Sequence, residues 1–146
     1  MSLTFPEQIV ASAKGWIGTP YVHQASCKGA GTDCLGLLRG VWREVLGAEP
    51  ELVPAYTKDW SELTGEEVLL QAAQRYLTQK PPESAELGDV LLFRMRDRGV
   101  AKHLGIQTGA DRFVHAYSGH AVVENSLSTP WLRRLVARFA FPEGDY

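Results

Sequence analysis

Three side chains of this polypeptide could together attack a carbonyl carbon: the thiol of Cys34 and the imidazoles of His103 and His115. A thiolate is a strong nucleophile at neutral pH, an imidazole can hold its proton and return it to a leaving group, and a third group can fix that imidazole. The cysteine stands in Thr32-Asp33-Cys34-Leu35-Gly36, and the histidines in Lys102-His103-Leu104-Gly105-Ile106 and Phe113-Val114-His115-Ala116. A cysteine at a helix start with histidines far along the chain is expected where nucleophile and base meet only on folding. Each residue alone has an ordinary explanation, since free cysteine is among the most buried residue types.

The elements that must position them follow from periodicity. Leu37, Leu38, Val41, Trp42, Val45 and Leu46 recur at helical steps, which predicts an amphipathic helix running from Cys34 to a stop at Gly47. Gly29, Ala30 and Gly31 interrupt regular structure ahead of it, and Thr32 or Asp33 can cap its first amides. Cys34 then lies in the first turn, where free N–H groups and the helix dipole are expected to lower its pKa. The two histidine segments alternate as strands do, separated by a turn at Gly109-Ala110-Asp111. Opposed side chains on neighbouring antiparallel strands approach to ~4.5–5.5 Å at Cβ, close enough for His115 to accept a bond from the His103 ring.

Around this frame, Thr4-Phe5-Pro6-Glu7 reads as a capping box opening a first helix over 6–17, broken by Gly18-Thr19-Pro20. Tyr21-Val22-His23 reads as a short extended piece. Pro50, Pro54 and Tyr56 mark a loop, and Thr64-Gly65-Glu66-Glu67 a second capping box. The helix that follows ends near Gln79, ahead of Lys80-Pro81-Pro82. Residues 47–86 thus read as a loop-plus-helix insertion without a catalytic group, Trp60 being its one candidate for facing a substrate. Strands are expected at 90–93, 103–108, 113–116, 121–124 and 135–141. Helices followed by a meander predict an α+β domain over 1–146, its nucleophile helix laid on an antiparallel sheet of about five strands.

The chain has 146 residues, 45% hydrophobic and 22% charged, as a single globular domain would. A net charge of -2 and scattered basic residues give no electrostatic case for nucleic acid. Arg94, Arg96, Arg98 and Lys102 form one local basic patch, read as a solvated hairpin rather than a grip on an anionic polymer. No run reaches the ~18 apolar residues of a membrane span. No secretory pattern opens the chain, so synthesis in the cytoplasm without an export signal is expected. Pairing Cys27 with Cys34 would consume the nucleophile, and Cys27 reads as an incidental thiol, with a redox lock as the alternative. His23 and His120 read as loop or surface residues. Zinc on Cys34, His103 and His115 is chemically conceivable but lacks a local ligand pair, so no metal or cofactor is expected.

Gly18-Thr19-Pro20-Tyr21, Asp33-Cys34-Leu35-Gly36-Leu37, Leu87-Gly88-Asp89-Val90-Leu91-Leu92-Phe93, His103-Leu104-Gly105-Ile106 and Phe113-Val114-His115-Ala116, in this order, resemble the NlpC/P60 cysteine peptidases. The similarity spans roughly 6–141 and is narrower to the single-domain version of phage tails and gene transfer agents. It implies a papain-like fold with Cys34 as attacker, His103 as base and acid, and His115 as third residue. It further implies that Tyr21 lies beside the nucleophile and binds substrate, and that Asp33 neutralises the free amine of a terminal L-alanine. The oxyanion would rest on the Cys34 N–H, aided by the Tyr21 hydroxyl. Leu35 departs from the family's usual serine and removes a hydrogen bond to substrate. The expected activity is hydrolysis of peptidoglycan stem peptides, at the bond between γ-D-glutamyl and the diamino acid, by an enzyme that phage-tail or gene-transfer-agent proteins deliver to the wall. The alternatives are a structural tail component with a vestigial site, and a Cys-His acyltransferase of the same fold.

Overall fold

A computed structural model describes residues 2–50, 67–96 and 99–143. Trp60, the Thr64 capping box and Arg98 of the basic patch lie outside them.

Helix α1 (Phe5–Lys14) begins as its sequence predicts: the Thr4 hydroxyl accepts from the Glu7 N–H and the Glu7 carboxylate from the Thr4 N–H. It stops three residues short of Ile17, because Gly15, Trp16 and Ile17 turn with i to i−3 bonds into Gly18 at φ +93°. That tightening sends Trp16 inward while Ile17 stays 46% exposed. The indole lies against α2 (Cys34–Val45) at Gly40, where a Cβ would stand 2.0 Å from Trp16 Cζ2. A glycine here lets the two helices approach closely enough to bury the tryptophan.

Between them, β1 (Ser26–Cys27) and β2 (Gly31–Thr32) form a small antiparallel ribbon, and Tyr21 bridges to Thr32 beside it. Helix α3 (Val68–Tyr76) has no side-chain cap at Glu67, whose carboxylate instead accepts from the Ala101 N–H at 2.8 Å.

Among the described residues the main sheet has six strands rather than five, all antiparallel, in the order β3-β8-β4-β5-β6-β7. These are β3 (Thr78–Lys80), β4 (Val90–Arg94), β5 (Ala101–Gly109), β6 (Arg112–Ala116), β7 (Val122–Ser126) and β8 (Leu135–Ala140). The extra strand, β3, is short, polar and at the edge. Pleating divides the side chains between two faces. On one face Val90, Leu92, Leu104, Ile106, Val114 and Phe139 pack against Ile9, Leu37 and Val41 of the helices and against Trp16. On the other, Leu91, Phe93, Phe113 and Leu127 are covered by Trp131 from α4 (Thr129–Arg134), an element absent from the sequence expectation. Pro130, read there as a break, sits in the first turn of α4, where its missing N–H costs nothing.

The Leu87-Gly88-Asp89 motif serves this scaffold. Asp89 is buried and bonded by Arg138 Nη1 (2.9 Å), Lys80 Nζ (2.8 Å) and the Glu86 N–H (2.9 Å), which ties β3, β4 and β8 together. Breaking such a buried pair by removing one partner costs ~3–5 kcal/mol.

Candidate active site

Asp33 is the N-cap of α2 and fixes the position of Cys34. One carboxylate oxygen accepts from the Gly36 N–H at 2.7 Å and the other from the Gln24 N–H at 2.8 Å. His23 Nδ1 stands 3.9 Å from the latter oxygen. Asp33 is 3% exposed, so it acts as a buried cap joining the approach loop to the helix. Gly36 follows from the same packing, since a Cβ there would meet the Ala25 carbonyl oxygen at 2.0 Å and Thr32 Oγ1 at 2.6 Å.

Cys34 is half-buried and free, as is the exposed Cys27. Its thiol donates to the Lys102 carbonyl at 3.8 Å, on the strand that carries His103. Burial, and then the negative charge of Asp33, push the thiol up to about 12, against the N–H groups of Leu104, Leu35 and Cys34 that favour the thiolate. The expectation of a depressed pKa is therefore overturned: the helix N-terminus acts in the expected direction, but loss of water outweighs it. Tyr21 stands close by, its phenol raised to about 12 by burial, then by Cys34 and Asp33.

The imidazoles occupy the opposite sheet face. His103 pairs with Phe93 of β4 and shares its face; His115, two residues from Phe113 on β6, shares the face of Phe113. The two rings meet with His103 Nε2 and His115 Nδ1 2.8 Å apart, their planes at 75°. The contact is diagonal: the Ile106–Val114 pairing carried one step further sets Gly105, not His103, beside His115. Gly105 makes room for this, because a Cβ there would stand 2.7 Å from the Phe113 ring. His115 Nε2 in turn lies 2.7 Å from Oδ1 of Asn125 on β7. Trp131 covers both rings, with centroids 5.7 Å from His103 and 5.0 Å from His115.

Both histidines are buried. Burial, and then the neighbouring His115, take the pKa of His103 down to about 3. Burial also lowers His115, opposed by its bond to Asn125 and aided by His120. The resting site is thus a neutral thiol beside two neutral imidazoles. Among the described residues no hydrogen bond joins Cys34 to His103, and no three His, Cys, Asp or Glu side chains are grouped to hold a metal ion.

His23 lies by Asp33, and His120 stacks on Tyr117 at 5.4 Å. The sequence reading missed Asn125 and Trp131. An amide in a β-branched, alternating run is a weak strand former, and that mismatch was the signal for Asn125.

An NlpC/P60 fold carries this arrangement, and residues 18–139 match the family model described as the NlpC/P60 family. The chain belongs to that family. It is 31% identical over 120 residues to a Gamma-DL-glutamyl hydrolase of Bacillus subtilis, covering 82% of this chain and 25% of that protein. It is 29% identical over 119 residues to Murein DD-endopeptidase MepS/Murein LD-carboxypeptidase of Escherichia coli, covering 82% and 53%. The chain thus spans about half the length of one curated relative and a quarter of the other. The crystal structure of the NlpC/p60 domain of the peptidoglycan hydrolase SagA superposes with a TM-score of 0.66 at 23% identity, over 93% of this chain and 98% of that one. No described helix is long and apolar enough to cross a membrane.

Proposed function

We propose that this protein is a cysteine peptidase of peptidoglycan stem peptides, with Cys34 as nucleophile, His103 as base and acid, and His115 as third residue. The observation that carries the reading is the hydrogen-bonded histidine pair on β5 and β6, with the sulfur held against the backbone beside His103. The reaction requires the thiol to leave the Lys102 carbonyl and reach the imidazole. The S–H proton passes to His103, the thiolate adds to the substrate carbonyl, and the N–H groups at the start of α2 receive the oxyanion. Collapse breaks the C–N bond, His103 protonates the departing amine, and water then hydrolyses the thioester.

The names of the Bacillus and Escherichia relatives, a γ-glutamyl hydrolase and a murein peptidase, support stem peptides as substrate, with the γ-D-glutamyl–diamino acid bond as the one cut. Tyr21, beside the sulfur, contacts that substrate. Asp33, buried and with each carboxylate oxygen accepting a backbone N–H, acts on that amine through its charge. Delivery by a phage or gene-transfer particle rests on the sequence resemblance.

Digestion of purified wall material, followed by mass spectrometry of released peptides, tests the activity. The natural protein cuts between the γ-D-glutamyl residue and the diamino acid, giving fragments that begin with the diamino acid, and Cys34→Ala gives none. Intact wall peptides together with labelling of Cys34 by an acyl donor would identify an acyltransferase instead.

A further inference from the structure

We infer that Asn125 is a positioning residue that sets the direction of the proton in the histidine line, leaving Nδ1 of His103 bare to take the thiol proton. The inference rests on the peptidase reading for its consequence, but its geometry stands apart from it.

A neutral imidazole has one N–H and one lone pair, so a chain of such rings can be polarised in only two ways. His115 Nε2 faces the amide oxygen of Asn125 at 2.7 Å, and that oxygen only accepts. The proton of His115 is therefore on Nε2, and its Nδ1 offers a lone pair. His103 Nε2, 2.8 Å away, must donate to it. The remaining nitrogen of His103, Nδ1, is then the acceptor. Reversing the Asn125 amide would present an NH2 group, shift every proton by one nitrogen and leave His103 Nδ1 carrying a hydrogen, unable to act as base. Asn125 is exposed on β7, so its NH2 group can be satisfied by water while the oxygen faces inward. The role differs from that of His115, which touches His103 directly. Asn125 acts on the base one ring removed.

Nitrogen-15 NMR of histidine-labelled protein reads the tautomers directly, without substrate. Expected are Nε2-protonated forms of both His103 and His115 in the natural protein, kept in Asn125→Asp, which has only acceptors, and mixed in Asn125→Leu. Wall digestion then reads the consequence. Asn125→Leu lowers kcat ~10-fold or more, part of the ~100- to 10,000-fold that a positioned acid–base group provides. KM is little changed, and Asn125→Asp recovers most of the rate. Thermal unfolding of each variant separates this loss from misfolding. An Nδ1-protonated His103 in the natural protein, or a tautomer swap in Asn125→Asp, overturns the inference. Expected tautomers in a protein that leaves wall peptides uncut would refute the peptidase reading and leave the proton direction standing.

Discussion

The thiol of Cys34 is bonded to the carbonyl of Lys102 at 3.8 Å, and not to the imidazole of the next residue in the chain. Cys34 is held as a neutral thiol, with its acceptor on the backbone of the strand that carries His103, its proposed base. Forming an ion pair requires the sulfur to leave this acceptor, and the N–H groups of Leu104, Leu35 and Cys34 that favour a thiolate are outweighed by burial and by Asp33.

Alkylation of Cys34 should therefore be slow at neutral pH and rise about tenfold per pH unit toward the alkaline limit set by a thiol near 12, since only the thiolate reacts. The rate of iodoacetamide labelling in a Cys27→Ser background measures this. A plateau between pH 5 and 8 would show a preformed ion pair.

Asp33 contributes to that restraint. Asp33→Asn keeps one amide oxygen to cap Gly36 but removes the charge that disfavours the thiolate. Labelling of Cys34 at pH 8 should become several-fold faster, a pKa unit being worth a factor of ten. An unchanged or slower rate would show that the charge is screened from the sulfur.

The buried histidines make the fold acid-sensitive in a defined window. His103 is held at about 3 in the folded protein against about 6.5 when unfolded, so between these values the unfolded chain binds the extra proton. Stability is complete above the unfolded value and is lost as pH falls toward the folded one, by up to ~1.4 kcal/mol per unit. His115 is lowered in the same direction. Urea unfolding from pH 7 to 4 should show this slope, reduced in His103→Gln.

Gly40 is needed for the seat of Trp16. Gly40→Ala places a methyl 2.0 Å from a ring atom and should cost ~1–3 kcal/mol by overpacking. Thermal unfolding should show a lower Tm, while the pH dependence of Cys34 labelling stays unchanged. An unchanged Tm would mean that α1 shifts freely over α2.

Local signals carried much of the architecture. The Thr4–Glu7 capping box, the Asp33 cap and the apolar period after Cys34 are properties of contiguous residues, and they locate both helix starts. Gly47, at φ +96°, ends α2 as expected. What was not legible depends on distant chain. β3 is a strand because β8 lies beside it, not because Thr78-Gln79-Lys80 favours one. The pKa of Cys34 is decided by burial under the sheet, which outweighs the helix dipole that a local reading can see. His103 and His115 were legible as strand residues on a meander, but their diagonal contact depends on Gly105 and a register that only pairing fixes.

His103, His115 and Asn125 come one each from three successive strands, β5, β6 and β7, so their line crosses the sheet within residues 101–126. Its alignment is a property of reading frame between neighbours. The link from Tyr117 to Ala121 can change length without disturbing it, whereas the two-residue hairpin at Ala110 and Asp111 sets the register of β5 on β6. One residue inserted within any of the three strands turns a member of the line to the wrong side of the sheet. That stretch is a cassette, tolerant at its longer joint and intolerant along its rungs and at its tight turn, and random single-residue insertion scanning across it should trace this pattern.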